Sequence, residues 1–219
     1  GPDGRPVPSQ RLSTGQLAFL ASDVPPLGAK RFALSAGQPV ATGTAKAQGN
    51  TLSNGALVLT VDEKTGAIAS LKTRGIKPEL VDTSGGLGLN AYRYVAGRDP
   101  KDPQPNGPVK INVKEPGPLV ASLVVESEAP GCRRLLRELR VVDGLDHVDL
   151  LNMVDKEKIR TQESVHFGFA FNVPEGVMRM NTPLAVVRPE EDQLPGACKN
   201  YFTVGRWVDI SNKAYGGTW

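Results

Sequence analysis

The chain has 219 residues, of which 39% are hydrophobic and 22% charged, and its formal net charge is +3. This length is enough for one large β domain or two modest ones, and the composition is that of a folded globular protein rather than a disordered one. No apolar run approaches the roughly 20 residues that are needed to cross a bilayer, so the sequence does not predict a membrane partner.

Residues 1–40 are predicted to be the tail of a small β unit. Residues 17–20 and 31–34 have the composition of short strands. Between them, Val-Pro-Pro-Leu-Gly at 24–28 is expected to form a rigid, extended segment that interrupts strand pairing, because proline fixes φ and lacks an N–H. The small and polar residues 41–49 that follow predict a linker.

Strand signals recur regularly in residues 50–219, which we interpret as one β domain that is truncated at its C-terminus. Residues 57–61 and 67–71 predict a hairpin in which Gly66 supplies the positive φ of the turn. Long helical periods are absent from the sequence. The predicted class is therefore all-β, built from antiparallel hairpins.

Residues 133–142 fit two patterns. Leu135, Leu136, Leu139 and Val142 would suit one face of a helix, but Asp143-Gly144 predicts a hairpin turn directly afterwards, and this favours a strand. The segment carries the one tight basic cluster, which consists of Arg133, Arg134, Arg137 and Arg140. We interpret this cluster as a solvated strand face and not as a nucleic-acid footprint.

Residues 163–174, ESVHFGFAFNVP, give the clearest strand signal. Apolar side chains occupy every second position, namely Val165, Phe167, Phe169, Phe171 and Val173. A row this apolar is expected to be buried, and each side chain then contributes roughly 1.5–3 kcal/mol. The opposite row is small and partly polar. A strand with one apolar face and one face of small, partly polar residues predicts a β-sandwich or a similar layered domain.

Two patterns suggest ligand sites, and each has a simpler explanation. Residues 86–91 match a loose G-x-G-x-x-A nucleotide fingerprint, but no helix or βαβ unit is predicted around them, which favours a turn between strands. Asp143, Asp146 and Asp149 could hold calcium, yet a polar hairpin tip explains them better. The sequence therefore assigns no metal ligand.

Two histidines, His147 and His166, are predicted on strands, with Glu157 and Glu163 nearby in sequence. General acid–base chemistry of the sugar-epimerase kind could use such a set, although a structural hydrogen bond is the commoner role of a strand histidine. Cys132 and Cys198 lack CxxC spacing, so cysteine-bound zinc is unsupported and a disulfide stays open. The sequence identifies no catalytic residue.

Four segments resemble glycoside hydrolase family 38, the α-mannosidases. They fall in the family's order and cover most of the chain. They are VPPLG at 24–28, LSNGALVLTVDEKTGAIASL at 52–71, ESVHFGFAFNVP at 163–174, and VDISN with YGGTW at 208–212 and 215–219.

This resemblance implies a C-terminal β region of galactose mutarotase-like supersandwich fold. In the family, the zinc ion and the aspartate nucleophile belong to an upstream α/β domain, so neither is transferred to any residue here. The expected parent enzyme removes α-linked mannose with retention of configuration. This chain by itself is predicted to be inactive, to brace that catalytic domain and to form one wall of its sugar site.

The resemblance implies one candidate sugar-binding residue. Asn90-Ala-Tyr-Arg-Tyr94 is similar to a family segment whose tyrosine leans toward the substrate, and Tyr92 occupies that position. Expected partners are mannosides, the catalytic domain of the same polypeptide and, through an exposed sheet edge, a second copy. Two alternatives are a stand-alone carbohydrate-binding module, with Tyr92 or Trp207 at its glycan site, and a mutarotase-like sugar epimerase.

Overall fold

A computed structural model of the protein describes residues 1–97, 102–189 and 191–219. These residues form β-strands and no helix, which confirms the all-β prediction, and none of them belongs to a helix that could span a membrane. The strands are β1 (Ser9–Arg11), β2 (Leu17–Phe19), β3 (Lys46–Gln48), β4 (Thr51–Ser53), β5 (Leu57–Val61), β6 (Ile68–Thr73), β7 (Leu89–Ala96), β8 (Val109–Pro116), β9 (Val120–Ala129), β10 (Cys132–Val142), β11 (Asp149–Lys156), β12 (Glu163–Phe169), β13 (Val177–Thr182), β14 (Ala185–Val187), β15 (Val208–Ser211) and β16 (Gly216–Thr218).

Two antiparallel sheets enclose the main core. One has six strands in the order β12-β7-β6-β5-β4-β3, and the other has four in the order β11-β10-β9-β8. Alternate side chains of each sheet point inward, and Leu59, Leu123 and Leu139 from three different strands meet in one fully buried cluster. The architecture is therefore a β-sandwich. Its identity with the galactose mutarotase-like fold stays a prediction.

The hairpin between β5 and β6 forms as predicted. The Asp62 carboxylate accepts hydrogen bonds from the N–H groups of Lys64 and Thr65, at 3.0 and 2.7 Å, and so closes the turn. Gly66 follows with φ of 69°. A Cβ atom at this position would lie 2.4 Å from Cγ1 of Val125 on the facing sheet, so both the backbone angle and the space require glycine.

The apolar row of residues 163–174 is less buried than predicted. Only Val173 is fully buried, and the other four members are half-buried. β12 lies at the edge of its sheet, where one flank has no neighbouring strand among the described residues. The chain also leaves the regular strand after Phe169. The side chains of an edge strand are covered by one neighbouring strand and by the facing sheet. They lack a second neighbouring strand, which explains the partial burial.

The N-terminal segment differs in part from prediction. Residues 17–19 form β2, as expected, but residues 31–34 form no strand. The β1–β2 hairpin is fixed to the start of β9, because Oε1 of Gln10 accepts from the N–H groups of Leu119 and Val120, both at 2.9 Å. The buried side-chain amide of Gln10 thus satisfies two backbone N–H groups at the start of β9.

The predicted linker, residues 41–49, is wrong in its second half. Residues 46–48 form β3, the last strand of the six-stranded sheet, and Ala45 is buried in the main core. The N–H of Ala45 donates to the carbonyl of Pro118 at 2.9 Å. Small side chains suit a linker, but here they allow the chain to pack closely against its neighbours.

A third sheet, with the order β14-β13-β15-β16, lies at the C-terminal end of the chain. It contacts the sandwich through Trp219, whose ring stacks on Phe169 and Phe171. Gly217 permits this approach, since a Cβ atom there would lie 2.5 Å from the Phe171 ring. The third sheet therefore closes one side of the space between the two larger sheets.

Candidate functional site

A cleft of about 610 Å³ opens between the two large sheets, and we call it the intersheet cleft. One wall is apolar and comes from β6 and β7, and the other comes from β11 and the loop before it. Representative lining residues are Ile68, Leu71, Leu150, Asn152, Phe171 and Trp219. A concave, mostly apolar cavity with a few polar groups is the usual form of a small-ligand site.

Stacked aromatic rings form one side of the cleft. The Trp219 ring centroid lies 5.5 Å from that of Phe169, with an interplanar angle of 20°, and 5.3 Å from that of Phe171, at 29°. Such a stack presents a broad, rigid and apolar surface. Trp219 lines this cleft, whereas Tyr92 and Trp207, the aromatic residues that the sequence analysis named as sugar contacts, are not among its lining residues.

His147 lines the cleft beside a carboxylate. Its Nε2 lies 3.6 Å from Oδ1 of Asp149, and Oδ2 of Asp149 accepts a hydrogen bond from Nε of Arg140 at 3.0 Å. Asp146 also lines the cleft next to His147. The structure therefore places an imidazole at the cleft wall, and Arg140 holds the Asp149 carboxylate beside it.

The structure does not bring the two histidines together. His166 is exposed on the outward row of β12, where its Nε2 lies 2.8 Å from Oγ of Ser164. Glu163 accepts a hydrogen bond from the Tyr94 hydroxyl at 2.7 Å and forms an ion pair with Lys156. Of the predicted histidine and glutamate set, only His147 reaches the cleft.

An asparagine pair marks the inner part of the cleft. Nδ2 of Asn90 donates to Oδ1 of Asn152 at 2.9 Å, and Nδ2 of Asn152 donates to Oδ1 of Asn90 at 2.8 Å. Asn90 is fully buried in the left-handed region, with φ of 60°, because the register between β7 and β12 shifts there and leaves it out of the ladder. This shift is a β-bulge, which re-aims backbone and side chain.

Arg137 lies beside this pair, and the prediction that it belongs to a solvated face is wrong. Its guanidinium is fully buried and donates to the carbonyl of Thr65 at 2.7 Å and to that of Asn90 at 3.3 Å. Burial lowers its pKa to about 10, which keeps it charged at neutral pH. No anionic partner of Arg137 lies among the described residues. The other three arginines of the cluster are exposed and ion-paired, as expected.

The phase of β10 explains this position. Leu135, Arg137 and Leu139 occupy one inward row of the strand. The signal was present in the sequence, since the same alternation that buries both leucines includes the residue between them. Nothing in the sequence indicated why a cation should occupy a buried position. The structure shows that two buried carbonyl groups, one in a turn and one in a β-bulge, accept hydrogen bonds from it.

Tyr92 lies outside the cleft. It is 1% exposed, and its hydroxyl donates to the carbonyl of Pro130 at 2.5 Å. Its ring meets that of Phe167 edge to face, with centroids 5.8 Å apart. Burial, together with the neighbouring Cys132 thiol, raises the pKa of the phenol. The role of Tyr92 in sugar binding stays a prediction that this geometry does not favour.

The remaining candidate patterns have structural roles. Asp143 accepts from the Thr44 N–H at 2.7 Å, and among the described residues no group of three or more His, Cys, Asp or Glu is placed to hold a metal. The nucleotide-like segment is the end of a turn that leads into β7, as the expected connection between strands would be, with φ of 70° at Gly86 and 76° at Gly88. Cys132 and Cys198 are both free thiols.

Comparison of the sequence with protein-family models and with curated proteins gave no match in either case.

Proposed function

We propose that this chain is the non-catalytic β-sandwich region of a glycoside hydrolase of α-mannosidase type. In this role it braces a zinc-dependent catalytic domain and contributes to carbohydrate binding through the intersheet cleft. The reaction of the parent enzyme is the removal of α-linked mannose with retention. The zinc chemistry belongs to the catalytic domain, and no residue of this chain is assigned to it.

The observation that carries the proposal is the meeting of three family-like segments around one cleft. Residues 52–71 contribute Ile68 and Leu71 to its wall. Residues 163–174 contribute Phe171, and residues 208–219 contribute Trp219. These segments are far apart in the sequence. A shared ligand site gives a reason for all three to keep family-like residues in the same place.

The cleft also has the chemistry that a sugar requires. A pyranose has apolar C–H faces, which pack on a rigid aromatic surface such as the Trp219 stack, and hydroxyl groups at its rim, which need hydrogen-bond partners. His147 and Asp146 line the same cleft and supply polar atoms. Mannosides are therefore the proposed ligands.

The test is a titration of isotope-labelled protein with mannose and mannobiose, followed through the two tryptophan indole signals. We expect the Trp219 indole to shift and the Trp207 indole, which is not a lining residue, to stay. Trp219→Leu should abolish the response, and Trp207→Leu is the matched control. If millimolar sugar leaves Trp219 unmoved, the sugar-binding part of the proposal is wrong.

Catalysis is tested separately. The purified chain should not hydrolyse an aryl α-mannoside, with or without added zinc. Hydrolysis that survives repurification, and that follows the protein through a second column, would refute the non-catalytic assignment.

A second candidate function, mutarotase-like sugar epimerisation, is favoured by one observation. His147 lines the cleft together with the carboxylate of Asp146, so an imidazole and a carboxylate are both available at its wall. In such a reaction the imidazolium gives a proton to the ring oxygen while a base takes one from the anomeric hydroxyl. Polarimetry with fresh α-glucose or α-mannose tests this.

For epimerisation we expect His147→Ala to remove any acceleration of mutarotation and His166→Ala to leave it unchanged. Equal rates with and without the wild-type protein would exclude this second candidate. Sugar binding without acceleration would favour the first.

A further inference from the structure

β11 is an open edge of the four-stranded sheet. Its eight residues pair with β10 on one side, and no strand among the described residues pairs with the other side. An edge of this kind presents a row of unpaired N–H and C=O groups, which another extended strand can satisfy.

The centre of the outward row of β11 is apolar, where solvent would favour polar side chains. Leu151 and Met153 are 52% and 45% exposed and lie next to each other on the face away from the core. On the neighbouring strand, the half-buried Leu136 lies opposite Met153 and extends the patch, whereas Leu151 lies opposite Glu138, which is ion-paired with Lys114. These residues define what we call the β11 patch.

The facing edge strand, β12, differs. Its outward row carries Ser164 and His166, which bond to each other. Natural edge strands are protected by polar or charged side chains, proline or bulges. The centre of β11, Leu-Leu-Asn-Met-Val at 150–154, has none of these except one asparagine that points inward to Asn90.

The β11 sequence is complementary to itself in one antiparallel register. Opposed residues of paired strands point to the same face. A pairing centred on Asn152 therefore places Leu151 against Met153 of a second copy on the outer face, and Leu150 against Val154 on the inner face. Shifting the centre to Met153 would instead oppose Leu151 to Asp155, which mismatches an apolar and a charged side chain.

The charges at the strand ends allow this register. It brings Asp149 of one copy near Asp155 of the other. Each of these carboxylates already has an arginine partner, because Arg140 holds Asp149 at 3.0 Å and Arg133 holds Asp155 at 2.6 Å. Repulsion between the two carboxylates is therefore offset within each copy.

We propose that two copies of this chain associate through antiparallel pairing of their β11 strands, centred on Asn152, with Leu151 of each packed on Met153 of the other. The two four-stranded sheets then join into one sheet of eight. The proposal uses the free edge and the outward row of β11, whereas its inward residues Leu150 and Asn152 line the intersheet cleft. It does not depend on the proposed function.

Sedimentation velocity over a range from about 1 to about 500 µM tests association, since a single strand pair gives moderate affinity. We expect the wild type to approach dimer mass, and Met153→Lys or Leu151→Lys to weaken association by about tenfold or more. Val113→Lys is the matched control, since Val113 is 43% exposed on β8, the opposite edge strand of the same sheet. A monomeric wild type at every concentration, or a dimer that both lysine variants leave intact, would overturn the proposal.

Cysteine pairs test the register. In a Cys198→Ser background, mixed L151C and M153C proteins should form a disulfide-linked heterodimer, because these positions face each other in the proposed pairing. Faster cross-linking of L151C with itself would contradict this register. Far-ultraviolet circular dichroism of every variant shows that the fold is retained.

Discussion

The two halves of the sandwich core are built in different ways. Around Leu59, Leu123 and Leu139 the core is apolar, and burial alone holds the sheets together. Around Arg137 and Asn90 the core contains polar side chains that are each held by at least one hydrogen bond, although Nε of Arg137 has no partner among the described residues. A buried polar group is costly unless it is bonded. The apolar half should therefore tolerate conservative exchange, whereas the polar half should not.

The largest effect is expected at Arg137. Arg137→Met should lower the free energy of unfolding by about 4 kcal/mol, because two buried carbonyls lose their donor at roughly 1–3 kcal/mol each. The matched control is Leu139→Met on the same inward row, with a loss below about 1.5 kcal/mol. Urea denaturation measures both. Equal losses for the two variants would remove the distinction between the halves.

A truncation in the apolar half should have a somewhat smaller effect. Leu123 is completely buried, and Leu123→Ala should lower the free energy of unfolding by about 3 kcal/mol through lost burial and a residual cavity. Val58→Ala, at an exposed position of β5, should change it by less than about 0.5 kcal/mol. Thermal and urea unfolding report both. A loss below 1 kcal/mol at Leu123 would mean that the sheets close over the gap.

The asparagine pair should show coupling. Asn152→Ala leaves the buried amide of Asn90 without its partner, at a cost of about 1.5 kcal/mol. In a double-mutant cycle, Asn152→Ala should cost much less once Asn90 has been changed to Gly, which also tolerates the positive φ. Additive losses would show that the two amides do not depend on each other.

The smallest effect concerns pH. The hydrogen bonds from Lys156 and then Tyr94 hold the pKa of Glu163 below its ordinary value of 4.5. Because the folded pKa is the lower one, the stabilisation is present above pH 4.5 and is lost as the pH falls through the folded pKa. Wild type should therefore exceed Glu163→Gln in stability at pH 7, and the difference should shrink toward pH 3. A pH-independent difference in urea midpoints would contradict this.

Local sequence patterns predicted several elements correctly. The strand pattern at residues 57–61 identified β5, and the glycine at position 66 identified the turn after it. For residues 133–142 the turn signal at Asp143-Gly144 decided for a strand, and the structure confirms it as β10. These features depend on neighbours within a few residues, so the sequence contains them directly. The cleft could not be found this way, because β6 and β7 form one of its walls and β11 forms the other, and these strands are far apart in the sequence.

Two mispredictions have the same origin. Arg137 was assigned to solvent from its charge, and residues 46–48 were assigned to a linker from their small size. In both cases residue type was a weaker guide than position. A charged side chain can be buried where unpaired carbonyls surround it, and small residues can form a strand where a neighbouring sheet edge needs one.

The sequence by itself determined that this protein is all-β and which residues share a strand face, because a period of two is a local property of the chain. It also carried the family-like segments on which the proposed function rests. The tertiary structure decided the burial of Arg137, the Asn90–Asn152 pair, the intersheet cleft and the open edge at β11. Each of these depends on the register between distant strands and on which strand ends a sheet, and side-chain alternation alone leaves both undetermined.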